Sequence, residues 1–207
     1  MHDRGKKFAE GSHTEKRELR RGFLSARDRF TDDDVQEAER LLARRALELP
    51  EMAEARAVAA YVSVGREPGT PALLDALHAR DTRVLLPVLR PDHDLDWGEY
   101  QGAESVERVP RPGRLTLLEP RGERLGPEAV LTADVVLLPG LAVDARGTRL
   151  GRGGGSYDRV LARLAAAGAT PALVVLLYDA EIVERLPGLA HDRPVQAAVT
   201  PSGVRRF

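Results

Sequence analysis

The sequence contains no cysteine, which excludes disulfides, thiolate nucleophiles and cysteine-ligated metals. It fits a reducing compartment, and the cytoplasm is the expected location. No charge of one sign dominates: 31 Lys and Arg stand against 32 Asp and Glu, for a net charge of -1. Nothing in that balance points to a nucleic-acid partner. No apolar run approaches the length needed to span a bilayer, so no membrane partner is expected. Met1 to Glu10 is polar and lacks the apolar core of a secretory signal. There is no internal repeat, and low complexity is limited to one glycine cluster.

What is present is an ordinary globular balance over 207 residues, 43% hydrophobic and 30% charged, enough to bury one core. Met1 to His13 lacks hydrophobic periodicity and reads as a disordered tail, which leaves residues 14–207 as the folded domain. Thr14 to Arg29 reads as a helix capped by Thr14, with Leu19, Phe23 and Ala26 as its apolar stripe. A second helix starts at Thr31-Asp32-Asp33-Asp34 and ends at Pro50. Basic residues outnumber acidic ones from Arg4 to Arg29, a local asymmetry that suits one anion site.

Ala57 to Val64 is a small-apolar run of the kind expected for a strand covered on both faces. A helix from Pro71 to about Arg80 and a strand from Arg83 to Val88 complete a βαβ unit. Leu95 to Tyr100 reads as a polar edge strand, and Arg108 to Leu125 as a long surface connection. Strands follow at Ala133–Pro139, Ala172–Leu177 and Gln196–Thr200, with helices at Tyr157–Ala167 and Glu181–Leu186. The alternation predicts a single α/β domain: a mainly parallel, mixed central sheet flanked by helices, preceded by an N-terminal helical segment.

The most informative stretch runs from Asp144 to Arg159. Gly151, Gly153, Gly154 and Gly155 remove side chains where a backbone must bend or approach a ligand closely. Successive N–H groups in such a turn form an anion-binding nest, and the following helix adds its positive end. Arg149 and Arg152 add full charges with bidentate geometry. The construction suits a triphosphate, although taken alone the cluster is equally a flexible surface turn. It is not a P-loop, because no Gly-Lys-Ser/Thr follows the glycines.

Pro139-Gly140 together with Asp144-Ala-Arg-Gly147-Thr-Arg149-Leu-Gly151-Arg152-Gly153-Gly154-Gly155-Ser156-Tyr157-Asp158 resembles the signature of the 5-formyltetrahydrofolate cyclo-ligase family. Three further segments fit: Lys16-Arg17-Glu-Leu-Arg20, Tyr61-Val-Ser63 leading to Glu67 and Thr70, and Leu186-Pro187 leading to His191-Asp192. The resemblance covers the chain from about Lys16 to Thr200.

It implies ATP-dependent cyclisation of 5-formyltetrahydrofolate to 5,10-methenyltetrahydrofolate, with ATP as co-substrate and Mg²⁺ as cofactor. ATP would be held by Lys16, Arg17, Arg20, Arg149, Arg152, the loop glycines, Ser156 and Tyr157. Folate would be held by Glu67, Thr70, Ser156 and Tyr157, and Mg²⁺ by Asp158 and Asp192. Arg149, Arg152 and Tyr157 are the expected catalytic groups, in a monomer or weak homodimer. At i, i+4 spacing Lys16 and Arg20 share one helical face, which otherwise reads as a solvated basic face.

The chain departs from the family pattern in three places. Ser156 replaces a Tyr, leaving Trp97 and Tyr100 as candidates for the missing aromatic wall. Gly154 stands where some members have Lys, and Glu181 where Gln is common. Two rival readings are a non-catalytic folate- or nucleotide-binding regulator and a sugar-phosphate isomerase-like enzyme on a related fold.

Overall fold

The computed structural model describes residues 3–111, 116–188 and 193–207, and side chains from residue 14 onward. The elements in chain order are α1 (Asp3–Arg27), α2 (Asp32–Leu47), α3 (Pro50–Ala53), β1 (Ala57–Ala59), α4 (Pro71–His78), β2 (Arg83–Leu89), β3 (Leu95–Glu99), β4 (Val106–Pro110), β5 (Thr116–Pro120), β6 (Val135–Pro139), β7 (Ala142–Val143), β8 (Arg149–Leu150), α5 (Ser156–Ala166), β9 (Ala172–Leu176), β10 (Ala197–Thr200) and β11 (Gly203–Arg206).

Seven strands form the central sheet in the order β11-β10-β9-β6-β1-β2-β3. The five inner strands run parallel, and β3 and β11 close the edges antiparallel to β2 and β10. This is the mixed, mainly parallel sheet that the apolar runs predict. Successive side chains of a strand point to opposite faces, and β6 uses both. Val135 and Leu137 pack with α2 and α4 through Leu42, Leu73 and Leu77. Val136 and Leu138 pack with α5 through Val160, Leu161 and Leu164.

Several elements differ from their sequence reading. Helix α1 runs from Asp3 through Thr14, so Thr14 is not a cap. The tail expected over Met1–His13 falls where two residues, and the side chains of the others, lie outside the described set. Ala26 is exposed, and the buried residue at the end of the α1 stripe is Arg27. Thr31 does cap α2, in a reciprocal box with Asp34; the helix ends at Leu47 and Pro50 starts α3 instead.

The stretch read as a surface connection contains a hairpin, β4 paired antiparallel with β5. No helix spans Glu181–Leu186: Ile182 makes an isolated parallel bridge to Val143, and Glu181 is buried against Arg27. The edge strand β3 is not polar, since Leu95 and Trp97 are buried. No described helix is long and apolar enough to cross a membrane.

Candidate active site

A cavity of about 290 Å³ opens beyond the C-terminal ends of β1, β2 and β6, the edge where ligands bind in open α/β sheets. Its ends differ in chemistry. One is built from Lys16, Arg20, Arg149 and the glycine loop; the other is aliphatic, with Val62, Pro87, Leu89, Leu95, Leu117 and Leu118.

The cationic end is assembled by α1 and the β7–β8 ribbon. Leu19 and Phe23 of α1 pack against Ala142, Leu150 and Leu186, which turns Lys16 and Arg20 toward the loop. Arg20 donates from Nε to the Gly151 carbonyl at 2.9 Å. Gly153 lies at φ +91° and Gly155 at φ +74°, left-handed conformations that favour glycine. A Cβ on Gly153 would stand 3.2 Å from the Arg20 guanidinium carbon. The N–H groups of Gly153, Gly154 and Gly155 donate no hydrogen bond among the described residues, so they are available to an anion. Gly155 caps α5, whose first turn carries Ser156, Tyr157 and Asp158.

Asp144 organises this loop and is not itself a ligand group. It is fully buried and accepts from the N–H groups of Arg146, Thr148 and Leu186 at 3.0, 2.9 and 3.2 Å. Burial pushes its carboxyl up, but the Thr148 N–H and the Arg146 contacts outweigh that and hold it below the usual carboxylate range. Arg149 is nearly buried, donates to the Pro139 carbonyl at 2.8 Å, and lies 3.4 Å from Asp158 Oδ1. Asp158 is 72% exposed and lines the cavity.

Glu67 and Arg152 form an ion pair in the cavity wall. Arg152 Nε lies 3.0 Å from Glu67 Oε1, and the other Glu67 oxygen accepts the Val64 N–H at 2.9 Å. Tyr157 enters from α5 with its hydroxyl buried and without a partner. Burial pushes its phenol well up, Arg149 pulls it down and Glu67 adds to the rise, so at neutral pH it is a hydrogen-bond donor and not a base.

The structure brings together Lys16, Arg20, Glu67, Arg149, Gly151 to Ser156, Tyr157 and Asp158. Two expected residues are not at the site. Arg17 is exposed and does not line the cavity, because i+1 on a helix faces away from i and i+4. Thr70 is fully buried; its hydroxyl accepts the Ser63 N–H at 2.9 Å while Ser63 Oγ accepts the Thr70 N–H, so it closes a turn instead of meeting a ligand. Asp192 lies outside the described residues.

Neither aromatic candidate lines the cavity: Trp97 is buried in the core, and Tyr100 donates to Asp75 outside the pocket. The aromatic residues that do line it are Tyr61 and Tyr157. Tyr61 was legible in principle, since it lies in the apolar run Ala57 to Val64 just beyond the C-terminal end of β1. Glu119, on β5, also lines the cavity, but its stretch gave no strand signal.

The model of the 5-formyltetrahydrofolate cyclo-ligase family matches residues 12–201. The 5-formyltetrahydrofolate cyclo-ligase of Mycolicibacterium smegmatis is 42% identical over 156 residues, covering 70% of this chain and 74% of that protein. That of Escherichia coli is 33% identical over 178 residues, covering 84% and 94%. The NMR structure of Aquifex aeolicus 5,10-methenyltetrahydrofolate synthetase superposes with a TM-score of 0.75 at 29% identity, covering 92% of each chain.

Proposed function

Since the chain belongs to the 5-formyltetrahydrofolate cyclo-ligase family, we propose that this cavity is where ATP drives the cyclisation of 5-formyltetrahydrofolate to 5,10-methenyltetrahydrofolate. The chain is an enzyme, a ligase of folate one-carbon chemistry with ATP as co-substrate. One observation carries the site assignment: a glycine loop flanked by cations and an aliphatic chamber share a single cavity, as a triphosphate and a folate ring require.

The chemical problem is an unreactive formamide. Its oxygen is a weak nucleophile, and water is not an acceptable leaving group at neutral pH. In the proposed sequence the formyl oxygen attacks the γ-phosphorus and ADP leaves, giving an iminium phosphate. N10 then closes on the formyl carbon and loses its proton, the carbon–oxygen bond breaks, and phosphate leaves. The protein contributes positioning and charge neutralisation, and no covalent nucleophile is needed.

Lys16, Arg20, Arg149 and Arg152, with the N–H groups of Gly151 to Ser156, hold the triphosphate. Tyr157 donates its buried hydroxyl to the ligand, and Ser156 leaves room beside it. Glu67 accepts N–H groups of the folate once Arg152 has turned to phosphate. Among the described residues no three acidic or histidine side chains converge on a cation. Mg²⁺ nevertheless fits, because it is satisfied by one or two carboxylates with phosphate oxygens and water. The exposed carboxylate of Asp158 on the phosphate side would hold it, with Asp192 as the second ligand. Mg²⁺ would there supply further neutralisation of phosphate charge. The enzyme acts in the cytoplasm on small molecules, without nucleic acid or membrane, as a monomer or weak homodimer.

The test is absorbance in the methenyltetrahydrofolate band after mixing the protein with 5-formyltetrahydrofolate, Mg²⁺ and ATP. A rise that requires both ATP and Mg²⁺ is expected. No rise with ATP binding intact would instead make the chain a non-catalytic binder.

A further inference from the structure

Among the described residues three carboxylates line the cavity, and the reading above uses two of them. Asp158 and Glu67 stand toward the glycine loop. Glu119, on β5, stands in the aliphatic half near Leu89, Leu117 and Leu118. It is 3% exposed, and a carboxylate in such surroundings is retained only against a large desolvation cost. Oε1 accounts for only part of its bonding capacity: it accepts the Leu89 N–H at 3.2 Å and a guanidinium N–H of Arg111. Those bonds pin the β4–β5 hairpin to the end of β2. Oε2 accepts nothing among the described residues, and the side chain that carries it lines the cavity.

A pin alone needs one oxygen, and a neutral amide would serve as well. The second oxygen of a carboxylate is a strong acceptor for an N–H donor that enters the aliphatic half. A pterin carries such donors at its 2-amino end, remote from the nitrogens that react. We propose that Glu119 Oε2 accepts an N–H of the 2-amino group of 5-formyltetrahydrofolate, so that Glu119 fixes which end of the ring lies against the hairpin. This rests on the folate reading of the cavity. Glu119 acts in substrate recognition and takes no part in bond making.

The test is Glu119→Gln, whose amide oxygen can still accept from Leu89 and Arg111 while an NH₂ replaces the acceptor facing the cavity. KM for 5-formyltetrahydrofolate should rise at least ~10-fold, the loss of one charge-assisted hydrogen bond, with KM for ATP unchanged. The analogue lacking the 2-amino group should be used ~10-fold less efficiently than 5-formyltetrahydrofolate by the wild type, and no less efficiently by the variant. An unchanged folate KM, or undiminished discrimination, in a folded variant overturns the proposal, as does a fall in melting temperature alone. Should Glu119→Gln not fold, Glu119→Asp keeps the charge but withdraws it by one methylene, and the same readouts decide. A wild type that makes no methenyl product removes the folate reading and this proposal together; an active wild type with an indifferent Glu119 removes this one only.

Discussion

Arg27 clasps Glu181 across 154 residues of chain, with Nε at 2.6 Å from one carboxylate oxygen and Nη2 at 2.9 Å from the other. The same Nη2 donates to the Gly140 carbonyl at 2.7 Å, and both side chains are almost fully buried. Helix α1 is thereby fixed to the ends of β6 and β9. Removing one partner leaves the other charge buried and unpaired. Glu181→Ala should lower unfolding free energy by about 3–5 kcal/mol, read from denaturant titration, and raise KM for ATP because Lys16 and Arg20 ride on α1. A loss under about 1 kcal/mol would mean the clasp is solvated.

Asp158→Ala should reduce kcat at least ~100-fold, comparable to the loss of one charge contact made in the transition state. The side chain is 72% exposed, so the melting temperature should hold. Turnover near wild type in a folded variant would remove Asp158 from the site.

Arg149→Ala should weaken ATP binding, measured by calorimetry without folate present. Its guanidinium is held by the Pro139 carbonyl, so it meets phosphate with little rearrangement. Undiminished ATP affinity would leave Arg149 a structural residue only.

The burial of Asp144 makes the loop sensitive to acid. Its folded carboxyl sits below the ordinary value of 3.8, so its stabilisation is complete above that value. It fades as pH falls through the lower folded value. Unfolding free energy measured from about pH 5 downward should fall more steeply for the wild type than for Asp144→Asn. Parallel slopes would show that other carboxylates carry the acid response.

Gly147 lies at φ +78°, and a Cβ there would stand 2.7 Å from the Val195 carbonyl oxygen. Gly147→Ala should cost at least about 1 kcal/mol through backbone strain, seen as a lower denaturation midpoint. A midpoint equal to wild type would mean the Val195 segment yields freely.

The inner strands were legible because burial on both faces leaves continuous apolar runs, as at Ala57 to Val64 and Ala133 to Pro139. The glycine loop was legible because its residue types have few other uses together. The hairpin was not, since β4 buries no residue fully and Pro110 and Pro120 mask the alternation. Glu119 was hidden with it. The apparent helix at Glu181 to Leu186 failed for another reason: Ile182 and Leu186 bury themselves through a bridge to Val143 and contact with α1, not through a helical face. Thr70 shows the limit of residue type as a guide, because its hydroxyl was already engaged by the backbone of Ser63.

The clasp and the Arg20 contact to Gly151, 131 residues away in sequence, bear on the chain's birth at the ribosome. Helix α1 is synthesised first, yet the hydrogen-bond acceptors that hold it, at Gly140, Gly151 and Glu181, are translated in the last third of the chain. The nascent protein therefore carries Lys16 and Arg20 on an undocked helix until the segment around Glu181 has left the exit tunnel. The cationic end of the cavity is thus the last part of the fold to assemble.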